Sequence, residues 1–473
     1  MRAACQTAAK IPPYLSHNMV EIGGYFGHTI GMYRFAEEFL EQWLLSKNRK
    51  PLILRGARQV GKSTLVKLFA KNNKLKLIEI NLEKEKLKSI KKDSISTLNI
   101  IDEIQSLFEV NLDKNTLLFF DEIQKQPDLI PALRYFYEDH KDIPIISAGS
   151  LLEFELEKHE FQMPVGRVQY FYLGPMSFFE FLMALGKKNL IQAVENKNLN
   201  IDQALFDQLT KYFQEFLYIG GMPEAVKTYV ETKDPSQVRQ IHRNIIQTYR
   251  DDFPKYAKHS QLDDLQQIFE KIPDLIGQKN KFTNYSSEMK SREVKKCLHL
   301  LNLARVILPC YHSNCSGVPL ISQKDETIFK NYFLDVGLLN YLKKVSWIQA
   351  KDFINSSLLT KGEMAEQFAA QHIAYREQGL EAPTLLYWLR DKTPGKAEVD
   401  FVIEQGGRIT PIEIKAGSSG KLKSLLQFSE EKNMKTAFRF DLQFRDSKKT
   451  KIHNFNLLSY HLGLIEKVVI EPA

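Results

Sequence analysis

Residues 51–54 (PLIL) form an unbroken apolar run. A glycine-rich stretch follows, and then TLVKLFAK at 64–71, with apolar positions at helical spacing. A short continuous apolar run reads as a strand buried on both faces, and a 3.6-residue period reads as a helix. The same signatures recur at LLFF (117–120) and IPII (143–146), with a helical pattern over 127–139 between them. Strands alternating with helices predict a parallel α/β sheet. The segment from Met32 (MYRFAEEFLEQWLL) reads as an amphipathic helix leading into the first strand.

Beyond Glu180 the pattern turns helical. Residues 187–205, rich in Lys and Asn, read as an exposed connection, and Gly220 to Pro223 as a turn between helices. SREVKKCLHLLNL (291–303) has helical spacing, while ARVIL (304–308) and YFL (332–334) read as short strands. Helices followed by a small hairpin predict a winged-helix unit, whose basic helix would enter a DNA groove. The competing expectation is a helical lid on the first unit. Near the C-terminus, EVDFVI (398–403) and TPIEIKA (410–416) read as strands joined by the turn QGGR (405–408). A helix is expected to begin at 362–367 and another to span 422–431.

At 473 residues the chain exceeds what one core supports. The division expected is a flexible extension at 1–31, an α/β unit at 32–186, a helical and winged-helix-like region at 187–345, and a second α/β unit at 346–473. Four cysteines (Cys5, Cys297, Cys310, Cys315) make no disulfide framework, and no uncharged apolar run approaches the roughly 20 residues of a membrane span. Both point to a cytoplasmic protein without membrane contact. Cys297, His299, Cys310, His312 and Cys315 match no common zinc spacing. The formal net charge of +8 permits nucleic-acid binding without requiring it.

The chemistry begins at Gly56-Ala57-Arg58-Gln59-Val60-Gly61-Lys62-Ser63, followed by Thr64, which spells G-x-x-x-x-G-K-[ST] between a strand and a helix. Backbone N–H groups of such a loop close around phosphate oxygens at a helix N-terminus. Lys62 would reach the outer phosphates and Ser63 would hold Mg²⁺. Hydrolysis needs an acidic pair on a neighbouring strand, and the letters IDEIQ or FDEIQ occur twice. Asp121 and Glu122 follow the apolar run, so Asp121 is expected to position Mg²⁺ and Glu122 to polarise water. Asp102 and Glu103 are expected on a solvated helix face. Ser147 or Ser150, ending the next strand, would face the terminal phosphate. Arg58, Arg134 and Arg167 are the arginines available to stabilise transition-state charge, with surface ion pairing as the alternative for each.

These motifs, together with Ala148-Gly149-Ser150, Leu173 to Phe181 (LGPMSFFEF), Gly220 to Ala225 (GGMPEA) and Tyr332 to Leu338 (YFLDVGL), resemble a prokaryotic family of AAA+-type P-loop ATPases that carry a C-terminal DUF4143 domain. The resemblance runs from about Met32 to the C-terminus and places DUF4143 at roughly 235–420. Ser63 stands where the family mostly has Thr, and the hydroxyl is retained.

A second constellation lies on the C-terminal hairpin. Asp400 begins one strand, while Glu413 and Lys415, two apart, share a face of the other. Two carboxylates can bind a divalent metal and a nearby lysine can orient water or offset phosphate charge, as in PD-(D/E)xK nucleases. A helix carrying Glu363 and Glu366 precedes them, and Glu366 is the expected third acidic ligand. The alternative is a solvated hairpin with charges on its outer face.

The expectation is therefore an ATP- and Mg²⁺-dependent ATPase whose C-terminal domain binds DNA or RNA and is a candidate nuclease. Its opposing expectation is an ATP-dependent switch or scaffold that binds without cutting. ATP-dependent assembly into a homo-oligomer is a third.

Overall fold

The computed structural model describes residues 32–90, 96–157, 166–354, 361–376, 379–390, 397–416, 422–445, 449–452 and 455–469. The expected 1–31 extension lies outside them.

Five strands form the first sheet: β1 (Leu52–Arg55), β2 (Lys76–Asn81), β3 (Thr116–Asp121), β4 (Ile145–Ala148) and β5 (Gln169–Tyr172). Their order is β2-β3-β4-β1-β5, and every pairing is parallel. Parallel neighbours need crossover connections that cover both sheet faces, so the inner strands must be apolar throughout. All six residues of β3 are buried. This order brings the ends of β1, β4 and β3 to one sheet edge, the place where open α/β sheets bind ligands.

From Phe178 to Lys271 the chain is helical. The stretch expected as an exposed connection contains the helix Lys188–Asn196, which buries Leu190, Ile191 and Val194. Three apolar side chains at helical spacing hold it down, and its Lys and Asn residues take the outer face. Phe178, Phe213, Phe216 and Phe368 meet edge to face, with Phe213 and Phe368 centroids 4.8 Å apart. Phe368 belongs to the helix Lys361–Ala374, so the helical middle and the C-terminal part share one core.

β6 (Ile307–Ser313) and β7 (Lys324–Phe333) form the expected antiparallel hairpin. β6 also pairs in parallel with β8 (Leu385–Arg390), and β8 pairs with β9 (Ala397–Val399), giving the order β7-β6-β8-β9. The hairpin is thus half of a sheet that crosses the boundary placed at 345. The last sheet, β10-β11-β12-β14-β13, contains β10 (Phe401–Gln405), β11 (Arg408–Lys415), β12 (Thr436–Asp441), β13 (Lys449–Ile452) and β14 (Phe455–His461). Gly406 and Gly407, at φ +56° and +69°, make the two-residue turn from β10 to β11, where both positions need the left-handed region. Among the described residues, no helix is long and apolar enough to cross a membrane.

Candidate functional site

The P-loop leaves β1 at Gly56 and enters the helix Lys62–Asn72 at Lys62. Gly56 has φ +147°, and a Cβ there would meet the Leu173 carbonyl oxygen at 2.2 Å, so the loop requires glycine at this point. The Lys62 ammonium is buried and donates to the carbonyls of Gly56 (2.9 Å) and Ala57 (2.8 Å). Burial pulls its pKa down to about 8, against the opposing pull of Glu122 and Asp121.

Across the sheet edge, the Ser63 hydroxyl donates to Asp121 Oδ2 at 2.9 Å. A hydroxyl and a carboxylate placed side by side are the oxygen donors that Mg²⁺ accepts. Burial raises the Asp121 pKa. Glu122 takes φ +52°, a left-handed turn that closes β3 sharply. Its carboxylate accepts from the Gln124 side-chain amide and from the Ser150 hydroxyl at 3.3 Å. Of the two serines ending β4, Ser150 reaches Glu122, whereas Ser147 lies fully buried within the sheet. Asp102 sits exposed on the helix Thr97–Phe108, and Glu103 there accepts from the N–H groups of Lys88 (2.7 Å) and Ser89 (2.8 Å). Arg134 and Arg167 both pair with Glu138 on the surface, at 3.1 and 3.0 Å.

Two supports of the loop come from far along the chain and carry no local motif. Arg34, 6% exposed, places its Nε 3.1 Å from both Glu180 oxygens and donates to the carbonyls of Val60 (2.9 Å) and Gly174 (2.8 Å). The helix Pro235–Tyr256 lies along the other side. Tyr249 donates to the Arg58 carbonyl (3.1 Å), Gln59 donates to Thr248 (3.2 Å), and Arg58 pairs with Asp252 (2.8 Å) while its Nε lies 3.4 Å from Ser150. Arg58 therefore links the P-loop, the end of β4 and the helical middle.

The second site lies where the two C-terminal sheets meet the helix Lys361–Ala374. Asp400 Oδ2 accepts from the Ile414 N–H at 2.7 Å, tying it across the hairpin to the strand that bears Glu413 and Lys415. Glu413 pairs with Lys415 through Oε1, while its Oε2 is buried without a hydrogen-bond partner. Glu366, on the helix, accepts from Tyr332 (2.9 Å) and lies 3.6 Å from the Lys330 ammonium, which also contacts Glu398. Glu363 instead pairs with Lys343 at 2.8 Å. Burial raises the pKa values of Glu366, Asp400 and Glu413; Lys330 pulls the first two back down, whereas the charge of Asp400 pushes Glu413 further up. Burial works against the Lys330 charge, yet Glu366, Glu398 and Asp400 outweigh it and raise its pKa.

The orphaned Glu413 oxygen and the oxygen-only donor set suit a hard divalent cation between Asp400 and Glu413. Among the described residues, however, no group of three acidic, His or Cys side chains is already gathered around a common metal position. Lys330, Tyr332 and Glu398 were not singled out from sequence. Tyr332 enters the sequence reading only as the first residue of YFL and YFLDVGL, Lys330 lies outside both, and Glu398 opens EVDFVI with no role of its own.

Residues 48–182 match the family model described as an AAA domain, and 361–460 match a domain of unknown function, DUF4143. Between them, 210–349 match another domain of unknown function, DUF8612. The DUF4143 match thus begins later than the position, roughly 235–420, expected from sequence. Similar solved structures include the Aeropyrum pernix ORC1 protein in complex with DNA, at 10% identity and TM-score 0.27, covering 66% of this chain and 91% of that one. A RuvB variant from Thermotoga maritima is similar at 14% identity and TM-score 0.27, covering 57% of this chain and 87% of that one. No curated protein matches the chain.

Proposed function

For a chain that carries an AAA-type P-loop domain followed by a DUF4143 domain, we propose an ATP-hydrolysing protein whose nucleotide state is felt by its helical middle. The Ser63–Asp121 contact at 2.9 Å, with Glu122 beside it, carries this reading. The loop's N–H groups and Lys62 would take the phosphates. Ser63 and Asp121 would hold Mg²⁺, which offsets phosphate charge during transfer. Glu122, oriented by Ser150 and Gln124, would accept the proton of the attacking water. Of Arg58, Arg134 and Arg167, Arg58 lies within the P-loop and approaches Ser150, and its pairing with Asp252 joins it to the helix Pro235–Tyr256.

For the C-terminal site the reading is nucleic-acid binding with metal-assisted cleavage. Asp400 and Glu413 would hold one divalent cation, and Lys415 would stand by the phosphate. Glu366, the third acidic residue, would support the site from its contacts with Tyr332 and Lys330. A second reading, a switch or scaffold whose C-terminal domain binds without cutting, is favoured by those same contacts, which already engage Glu366.

The test combines ATP hydrolysis with cleavage of supercoiled, linear and single-stranded DNA and of RNA, in Mg²⁺ or Mn²⁺, with and without ATP. Wild type is compared with Lys62→Ala and Asp400→Ala. Cleavage lost in Asp400→Ala supports the nuclease reading. Hydrolysis without cleavage of any substrate supports the switch. Normal cleavage by Lys62→Ala, with hydrolysis gone, would show that the C-terminal site works independently of ATP.

A further inference from the structure

Lys330 is a lysine in a place where lysines are rarely found. It lies on β7 opposite Cys310, in a five-residue stretch, Phe329 to Phe333, that is buried throughout, and its side chain is 1% exposed. An ammonium group withdrawn from water this far is costly unless opposite charge surrounds it. Two carboxylates do so: Glu398 in direct contact, and Glu366 at 3.6 Å. The Tyr387 ring lies 5.1 Å from the ammonium. Tyr332, two residues along the same strand, fixes the orientation of Glu366 by donating to the oxygen that faces Lys330.

The carboxylate cluster therefore has two halves. In one, Lys330 gathers Glu366 and Glu398. In the other, Asp400 is tied to the Ile414 N–H, and Glu413 is paired with Lys415 through one oxygen, its second oxygen buried and unpartnered. Four carboxylates against two ammonium groups leave a formal deficit of two charges, which one divalent cation offsets and two would overshoot.

We propose that Lys330 is the built-in counter-ion of Glu366 and Glu398, standing where a second divalent cation would otherwise be needed, so that the C-terminal site takes a single divalent ion on its Asp400–Glu413 side. Lys330 is then a positioning residue supplied by β7, outside the DUF4143 match at 361–460. This rests on the metal-binding reading of Asp400 and Glu413, but the counter-ion role can be tested without it.

The experiment uses the full chain, free of nucleotide, as wild type, Asp400→Ala, Lys330→Met and the double variant Lys330→Met/Glu366→Gln. Thermal unfolding is followed with and without Mn²⁺, and bound Mn²⁺ is counted by electron paramagnetic resonance. Lys330→Met should lose on the order of 5 °C in Tm, because it leaves Glu366 and Glu398, both partly withdrawn from water, without their buried cation. Adding Glu366→Gln should recover part of that loss. Mn²⁺ should raise the Tm of Lys330→Met more than that of wild type; Asp400→Ala should remove one Mn²⁺ from the wild-type count, and Lys330→Met should bind one more than wild type.

Two Mn²⁺ bound at the wild-type C-terminal site would overturn the proposal. So would an undiminished Tm in Lys330→Met, or a loss that neither Glu366→Gln nor Mn²⁺ relieves. If no protein binds Mn²⁺ but the double variant recovers stability, the metal reading of Asp400 and Glu413 fails and the counter-ion role of Lys330 stands.

Discussion

The guanidinium of Arg58, inside the P-loop, lies 2.8 Å from the carboxylate of Asp252 on the helix Pro235–Tyr256, although 194 residues separate them in sequence. Asp252 is almost fully buried and is also paired with Lys255 at 2.7 Å, while Arg58 keeps about a quarter of its side chain exposed. Phosphate bound in the loop would compete with Asp252 for Arg58, and so shift the balance of contacts on that helix.

Asp252→Asn is expected to lower stability by about 1–2 kcal/mol, less than a fully buried pair because water still reaches Arg58. It is also expected to change ATP affinity several-fold, read by calorimetric titration beside a urea melt. Lower stability with unchanged affinity would reduce the contact to a structural one.

Lys62→Ala and Glu122→Gln should separate binding from chemistry. Without Lys62 the phosphates lose their buried cation, and ATP binding should be lost. Glu122→Gln should still bind ATP but hydrolyse it roughly 10²–10⁴ times more slowly, the usual contribution of a general base. Equilibrium binding and single-turnover hydrolysis on both variants decide this. Near-normal turnover by Glu122→Gln would remove that residue from the mechanism.

Gly56→Ala places a Cβ against the Leu173 carbonyl at a φ that side chains rarely adopt. Left-handed strain alone costs on the order of 1–3 kcal/mol. The clash is with backbone and has no side chain to move aside. The variant should melt lower and bind ATP weakly; a wild-type melting curve would show that the loop can shift.

Glu466 is buried, accepts from the Phe179 N–H at 2.7 Å, and has its pKa raised by burial to about 7. Because the folded value lies above the unfolded one, the folded state holds the proton more tightly. The associated stability is full below about pH 4.5 and is lost as pH rises toward 7, on the order of 3 kcal/mol in all. Glu466→Gln keeps an acceptor for Phe179 without a charge. Its Tm should exceed that of wild type at pH 8 and approach it at pH 5, as read by calorimetry across that range. A constant difference between the two would exclude this titration.

A fragment spanning 346–473 should fail to fold cooperatively on its own. It would leave β8 without its parallel partner β6, and Glu366 and Glu398 without Lys330. Circular dichroism melts of the fragment and the full chain test this. A sharp, native-like transition in the fragment would show that β6 and β7 are dispensable.

What the sequence determined by itself is what lies close together in it. The P-loop is legible because its phosphate-binding groups are eight consecutive residues between a strand and a helix. Asp121 could be preferred over Asp102 because the run before it is apolar enough for an inner parallel strand, and all of β3 is buried. Glu413 and Lys415 share a face because strand side chains alternate. The tertiary structure alone decided the partners of these groups. Arg34, Asp252 and Lys330 reach their sites from other elements, and no local period marks them. Lys330 is the sharpest case, because a charged residue within a strand pattern is ordinarily assigned to the solvent face. The long-range arrival of Glu366 and Glu398 makes burying it tolerable, and that balance of desolvation against charge pairing exists only once the two C-terminal sheets and the helix Lys361–Ala374 have come together.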